Sequence, residues 1–256
     1  MLRVTCYEKM SFDERLVLNK ASLENIIYDE HLVRYQLAAQ IAAGKNILDI
    51  ACGSGYGSKI LAEAGALKVT GVDRDAEALE EARKNYSEVD FKVGDAENIS
   101  ETDKSFNLIT SFETIEHLNN PEKYLAEIAR VLAAEGIFLV STPNREVFGQ
   151  KNPYHLHEFT RGEFEEILHK YFKNIFILEQ VNGVASLIKA GDSGKILFSE
   201  TAAKPLYFIA VCSNNNADLS GLFKQSVVSV NMPALEKIRN NPVMKLADKI
   251  YSLIKR

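Results

Sequence analysis

The sequence predicts an α/β fold, a doubly wound and mostly parallel sheet with helices on both faces. Three observations carry that prediction. From residue 46 onward, short apolar runs alternate with stretches of helical spacing, the sign of strand–helix–strand crossovers. The first run, Asn46-Ile47-Leu48-Asp49-Ile50, breaks into glycines at 53, 55 and 57 and resumes at helical spacing from Ser58 to Ala64. That is a strand, a tight turn and a helix. Successive strands also end at or near acids, Asp49, Asp73 and Asp95, and ligands of such sheets lie outside the carboxyl ends of the strands.

Ahead of the sheet, Ser11 to Glu14 has the form of a capping box. Leu23 to Ala43 is expected to be helical, because Ile26, Ile27, Leu32, Leu37, Ala38 and Ile41 recur at three and four. After the glycine turn come a strand at Val69–Asp73, a helix at Ala76–Tyr86, a third strand element at Phe91–Ala96 and a fourth strand at Phe106–Phe112. Asn120-Pro121 caps the next helix, since proline suits the first helical position after an Asn cap. Tyr124, Leu125, Ile128, Val131 and Leu132 form its buried stripe. Gly136 leads into strand Ile137–Ser141. A second capping box, Thr160-x-x-Glu163, opens a helix over Phe164–Tyr171. Ile175–Leu178 and Leu206–Cys212 are the last two strands, for seven in all. Between them, Val181 to Lys204 is a polar, glycine-containing insertion expected to shape a substrate pocket or a partner surface.

Ser213 to Asp218 has the composition of a linker. Met232 to Arg256 is amphipathic, with Leu235, Ile238, Leu246, Ile250, Leu253 and Ile254 against a basic face, divided by Pro242. Three occupants suit that apolar face: its own domain, a second copy of the chain, or a partner protein. The chain thus divides into an N-terminal helical segment (1–44), the α/β domain (45–213), and a linker with a C-terminal helix (214–256).

Net charge is −5 over 256 residues. Long basic patches are absent, which argues against a nucleic-acid binder or a binder of anionic membranes. Cys6, Cys52 and Cys212 are far apart and show no C-x-x-C spacing, so a reducing cytoplasm is expected rather than a disulfide framework. Arg3, Glu8 and Lys9 precede no apolar run, which argues against a signal peptide. No uninterrupted apolar stretch is long enough for a bilayer span.

The glycines read G-x-G-x-G, with Asp49 four residues before the first. A dinucleotide site reads G-x-G-x-x-G and holds a pyrophosphate, whereas a carboxylate beside the turn repels a diphosphate and suits a cation. Asp73, 18 residues after Gly55, is placed to accept bonds from both ribose hydroxyls. Asp95 is placed to hold an adenine amino group. An adenosine with a cationic amino-acid tail fits all three acids. From about Tyr28 to Ser213 the pattern resembles class I S-adenosylmethionine-dependent methyltransferases. That resemblance implies a Rossmann-like methyltransferase fold with a hairpin of long strands at its end. It implies S-adenosylmethionine held by Arg34, Asp49, Ala51, Gly53, Gly55, Tyr56, Asp73, Arg74, Asp95, Ala96 and Phe112. The N-terminal helix becomes a lid, with the Arg34 fork pairing the cofactor's carboxylate.

Phe112-Glu113-Thr114-Ile115-Glu116-His117 follows the fourth strand, whose end faces the transferable methyl in the resembled fold. Glu113, Glu116 and His117 are spaced to share one face of a helical turn. The E-x-x-E-H string resembles that of ubiquinone-pathway O-methyltransferases and of enzymes methylating the terminal ribose of small RNAs, which gather two hydroxyls on a metal. It implies Mg²⁺ or Mn²⁺ on Glu113, Glu116 and His117, with His155 and His157 both candidates for the further histidine and His157 the first choice. E-x-x-E-H also occurs in methyltransferases that need no metal, where His117 alone is the base beside Glu116. Tyr28, Asn144, Arg145, Tyr154, His155 and His157 are expected beside the acceptor. ETIEHL, STPNR, NPYHLHEF and PLYFIAVCS resemble methyltransferases encoded with surface-polysaccharide genes or fused to glycosyltransferases. The expected reaction is therefore O-methylation of a sugar hydroxyl, on a nucleotide-linked sugar or a glycan. The alternatives are a quinone-precursor or other small-molecule methyltransferase, and a non-catalytic cofactor-binding partner of a glycosyltransferase.

Overall fold

The computed structural model describes residues 26–149, 152–182, 185–190, 193–198, 204–215 and 218–223. The Ser11 capping box and the amphipathic segment 232–256, with its proposed partners, lie outside them. Seven strands form one sheet: β1 (Asn46–Ile50), β2 (Lys68–Asp73), β3 (Asp90–Val93), β4 (Phe106–Phe112), β5 (Leu132–Pro143), β6 (Asn174–Gln180) and the final β9 (Tyr207–Ser213). Their order is β3-β2-β1-β4-β5-β9-β6. Pairing is parallel from β3 through β5, and β9 runs antiparallel between β5 and β6. The order reverses between β1 and β4, the switch point where such sheets bind ligands.

Alternation along the strands divides the core in two. Leu48, Ile50, Ile109 and Phe138 face Tyr124, Ile128, Phe164 and Phe172 on one side. Ile47, Leu108 and Leu139 face Leu61, Leu79, Tyr35 and Ala38 on the other. Both faces of the central strands are covered, which is why those strands read as nearly continuous apolar runs.

The helices are α1 (Ile26–Ala39), α2 (Tyr56–Glu63), α3 (Ala76–Asn85), α4 (Pro121–Val131), the single turn α5 (Arg145–Phe148) and α6 (Arg161–His169). Asn120 caps α4 by accepting from the Lys123 amide at 2.9 Å, with Pro121 following. The Thr160–Glu163 box is complete in both directions on α6. Asp75 caps α3 through the amides of Glu77 and Ala78, a signal the sequence reading passed over.

Several boundaries differ from expectation. β5 starts at Leu132, which leaves the helix instead of completing its stripe. Its pairing with β4 shifts register between Phe106 and Leu108, so the segment expected as a link belongs to the strand. β3 stops at Val93, and Asp95 lies beyond it in a turn that bridges to Asn98. The insertion carries a hairpin of its own, β7 (Ala185–Ala190) with β8 (Ser193–Phe198). The expected lid α1 is built into the domain, since Arg34, Tyr35 and Ala38 are all buried. No helix among the described residues is long and apolar enough to cross a membrane.

Candidate active site

The glycine turn between β1 and α2 satisfies three different demands. Gly53 has φ of +54° and faces open space where a Cβ would sit, which leaves room for a close ligand. Gly55, at φ of +79°, is required by packing, because a Cβ there would lie 2.5 Å from the Phe91 ring. Gly57 lies inside α2 without a positive φ, contrary to expectation; its Cβ would fall 2.0 Å from the Tyr35 ring. Ala51 also adopts a left-handed φ of +58°, a strained backbone of the kind that gathers at ligand sites.

Asp73 ties this turn down. Its Oδ2 accepts from the Gly53 amide at 2.8 Å and its Oδ1 from the Asp75 amide at 2.9 Å. Asp49 does not face the turn's open side. It is wholly buried and accepts from Ser58 Oγ at 2.6 Å, Thr110 Oγ1 at 2.8 Å and the Tyr35 hydroxyl at 3.1 Å. Burial pushes its carboxyl up to about 6, against the pull of those hydroxyls. Asp49 thus joins α1, α2, β1 and β4.

Around the turn, Ala51, Arg74 and Asp95 are exposed and Ala96 is half-buried. Asp95 Oδ1 accepts from the Glu97 amide at 2.9 Å. Phe112 is buried at the end of β4 with its ring 5.0 Å from Tyr35. Tyr56 is sandwiched by Tyr28 at 5.3 Å and Tyr35 at 5.6 Å.

Arg34 is completely buried. Its Nε donates to Gln180 Oε1 at 2.7 Å, its guanidinium lies 4.2 Å over the Tyr207 ring, and Nη1 lies 3.5 Å from Glu113 Oε1. Neither Nη atom has a hydrogen-bond partner, and neither does the buried Tyr56 hydroxyl. Buried donors left unpaired are costly, and a carboxylate arriving here would satisfy them. These residues thus fit the amino-acid end of the expected cofactor. Glu30, beneath Tyr207 and Gln180, accepts from the Tyr207 hydroxyl at 2.7 Å, and burial pushes its carboxyl up. Gln180, Tyr207 and Glu30 were missed because they reach Arg34 only through folding.

On the acceptor side, Glu113, Glu116 and His117 do not share one helical face. Glu113 has φ of +52°, and a 3-10 turn spans Ile115–His117. Glu113 accepts from Ser141 Oγ at 2.6 Å and turns toward Arg34. Glu116 is wholly buried with Oε1 unpartnered, and burial followed by the nearby Glu113 charge raises its carboxyl well above the usual range. His117 is half-buried with Nδ1 3.0 Å from the Tyr154 carbonyl and Nε2 4.0 Å from Glu116 Oε1.

Of the expected metal ligands, Glu116 and His117 come within 4.8 Å of a third group, His155. Glu113 and His157 are not in that group. His157 is exposed and its ring lies toward Phe159. Both His155 nitrogens already have partners, Nε2 with Asn152 Nδ2 at 2.9 Å and Nδ1 with Glu158 Oε1 at 3.2 Å. Among the described residues three of the candidate ligands, Glu116, His117 and His155, are thus brought together, without Glu113 and His157. Asn144 and Arg145, expected at the acceptor, are fastened to the scaffold. Asn144 is buried, caps α5 and donates to the Pro205 carbonyl at 2.8 Å. Arg145 holds Glu163 at 2.8 Å and the Glu158 carbonyl at 3.2 Å. Tyr154 is exposed beside His117.

A methyltransferase-domain family matches residues 41–200, well over half of the chain. A Mycolicibacterium smegmatis protein named a probable S-adenosylmethionine-dependent methyltransferase is 36% identical over 150 residues, 57% of this chain and 58% of its own length. A ubiquinone biosynthesis O-methyltransferase of Coxiella burnetii is 35% identical over 107 residues, 40% of this chain and 45% of its own length. The chain thus spans about half the length of these curated relatives. Among solved structures, the PH0226 protein of Pyrococcus horikoshii matches with a TM-score of 0.54 at 20% identity, over 75% of this chain and 93% of that one. An S-adenosylmethionine-dependent methyltransferase of Mesorhizobium loti matches with a TM-score of 0.51 at 16% identity, over 69% and 94%. At such identities the structural matches speak for the fold. Taken with the family match, the unpaired Arg34 donors and the open Gly53 meet the needs of a sulfonium cofactor's tail. The chain belongs to the methyltransferase-domain family.

Proposed function

We propose that the protein methylates a hydroxyl oxygen of a small acceptor, with His117 as the general base. One observation carries the reading. The Tyr154 carbonyl can only accept, so the His117 Nδ1 at 3.0 Å carries the ring proton and Nε2 is the basic nitrogen. Bound S-adenosylmethionine supplies an electrophilic methyl on a sulfonium. A neutral alcohol is a weak nucleophile, so its proton must leave as the carbon–oxygen bond forms. Phe112 and Glu113 stand at the end of β4, and Arg34 with Tyr56 would hold the cofactor's carboxylate. The acceptor oxygen must sit about 3 Å from the methyl in line with its leaving sulfur. His117 Nε2 takes the proton, and the imidazolium returns it to water.

Two acceptor classes fit. The sugar reading, a nucleotide-linked sugar or surface glycan, rests on the sequence likeness of the ETIEHL, STPNR and NPYHLHEF segments. The quinone-precursor reading is favoured by the relative named for ubiquinone biosynthesis. Transfer of labelled methyl from S-adenosylmethionine to nucleotide sugars and to catechol-type quinone precursors separates them. Methylation confined to amines or thiols would overturn the hydroxyl reading.

A further inference from the structure

Asn152 lies outside the residues assigned above, yet it bonds His155 directly and the amide of Tyr154, the residue whose carbonyl meets His117. We propose that Asn152 is a positioning residue that sets the ring tautomers of His117 and His155 together. This rests on the reading of His117 as base. The geometry fixes each proton in turn. Asn152 Oδ1 accepts from the Tyr154 amide at 3.0 Å, and an amide N–H can only donate. The side-chain oxygen is therefore identified, and the other atom is the NH₂ group. That group lies 2.9 Å from His155 Nε2, so Nε2 accepts. The His155 proton then sits on Nδ1 and is given to Glu158 Oε1 at 3.2 Å. Tyr154 links the two sides through different peptide units, its amide bonded to Asn152 Oδ1 and its carbonyl taking the His117 Nδ1 proton. The two rings meet edge to face at 4.8 Å.

Among the described residues, these groups face the pair. His117 meets the Tyr154 carbonyl, Glu116 and His155. His155 meets Asn152, Glu158 and His117. A neutral, Nε2-accepting His155 beside His117 avoids placing a second cation there, and the Asn152 donor imposes that state. An aspartate could replace the oxygen function but not the donor. Substitution therefore separates the two roles. Asn152→Asp keeps an acceptor for the Tyr154 amide and removes the donor to His155. Asn152→Ala removes both.

The test is the ring tautomer of each histidine, read by long-range ¹H–¹⁵N spectra of the full chain labelled at histidine nitrogens. The chain has 5 histidines, and His117→Gln and His155→Gln assign the two signals. Both rings are expected as Nδ1–H in the parent protein. In Asn152→Asp, His117 keeps that form while His155 becomes Nε2-protonated. In Asn152→Ala, His117 becomes a mixture, and turnover falls by about tenfold or more, towards the ~10⁴-fold that a wrong tautomer can cost. The loss should be recovered in part by Asn152→Asp, with cofactor affinity unchanged. A parent His117 protonated on Nε2, or an Asn152→Ala protein with both signals unmoved, would overturn the proposal. The spectra need no turnover. If His117→Ala stayed fully active while the tautomers shifted as described, the base reading would fail and the positioning role of Asn152 would stand.

Discussion

Arg34 and Glu113 face each other at 3.5 Å, the arginine fully buried and the glutamate held at a left-handed φ of +52°. One carboxylate beside the guanidinium leaves both Nη atoms without a hydrogen bond, so the pair is set to receive a second carboxylate. Arg34→Lys keeps the positive charge beside Glu113 but loses the planar fork. Affinity for S-adenosylmethionine and for its demethylated product should fall by about 1.5–3 kcal/mol, the range for a hydrogen bond to a charged group. Titration calorimetry measures it. Unchanged affinity would make Arg34 a structural ion pair only.

His117→Ala should reduce turnover by roughly 10²–10⁴-fold, the range for loss of a general base. Cofactor affinity should hardly change, because Arg34, Gly53 and Asp73 remain in place. Steady-state kinetics with calorimetry on the same preparation tests both statements. Near-normal turnover would move the base to His155 or His157.

Asp49 makes folding sensitive to pH. Its folded carboxyl is raised to about 6 from the ordinary aspartate value of 3.8, so the folded chain keeps a proton that the unfolded chain releases. Stability is full below about pH 4, falls as pH rises to about 6, and then levels off. The difference amounts to about 3 kcal/mol at most. Asp49→Asn lacks that titration. Urea midpoints without cofactor should therefore show the parent losing stability relative to Asp49→Asn between pH 4 and 7. Parallel curves would show that Asp49 titrates as an ordinary carboxyl.

Turnover should survive excess EDTA. Glu113 is committed to Arg34 and Ser141, and His155 has both nitrogens engaged. Activity abolished by the chelator and restored by Mg²⁺ or Mn²⁺ would mean that Asn152 yields to an ion and that the hydroxyl is acidified on a metal.

What could be read from the sequence was what a few neighbouring residues determine. Asn120-Pro121 and Thr160-x-x-Glu163 cap helices because a cap needs only three or four consecutive residues. Strand β4 matched its expected bounds because every position from Leu108 to Phe112 is buried. The start of β5 was hidden because Leu132-Ala133-Ala134-Glu135 has good helix formers, and pairing with β4 overrides their preference. Asp49 looked like a ligand because its hydroxyl partners come from three other elements, Tyr35, Ser58 and Thr110. The Glu113 helix register failed at a single left-handed residue. Gln180 and Tyr207 are separated from Arg34 and Glu30 by most of the domain, and no spacing announces them. His155 and His157 were indistinguishable by type; backbone bonds to Glu116 and the Asn152 side chain decide which ring turns inward.

The Glu116 carbonyl accepts two amides from another part of the chain, Leu156 at 2.8 Å and His157 at 3.0 Å. The segment that carries His155 and His157 is thus hung from the peptide that precedes His117, the proposed base, as a hinge leaf is screwed to the door it serves. Exchange of residues 152–160 for those of a relative would therefore seldom change acceptor choice alone. A new loop drags the peptide before His117 with it, so diversification towards other hydroxyls should proceed by paired changes in both segments, and an engineer seeking a new acceptor should randomise them as one unit.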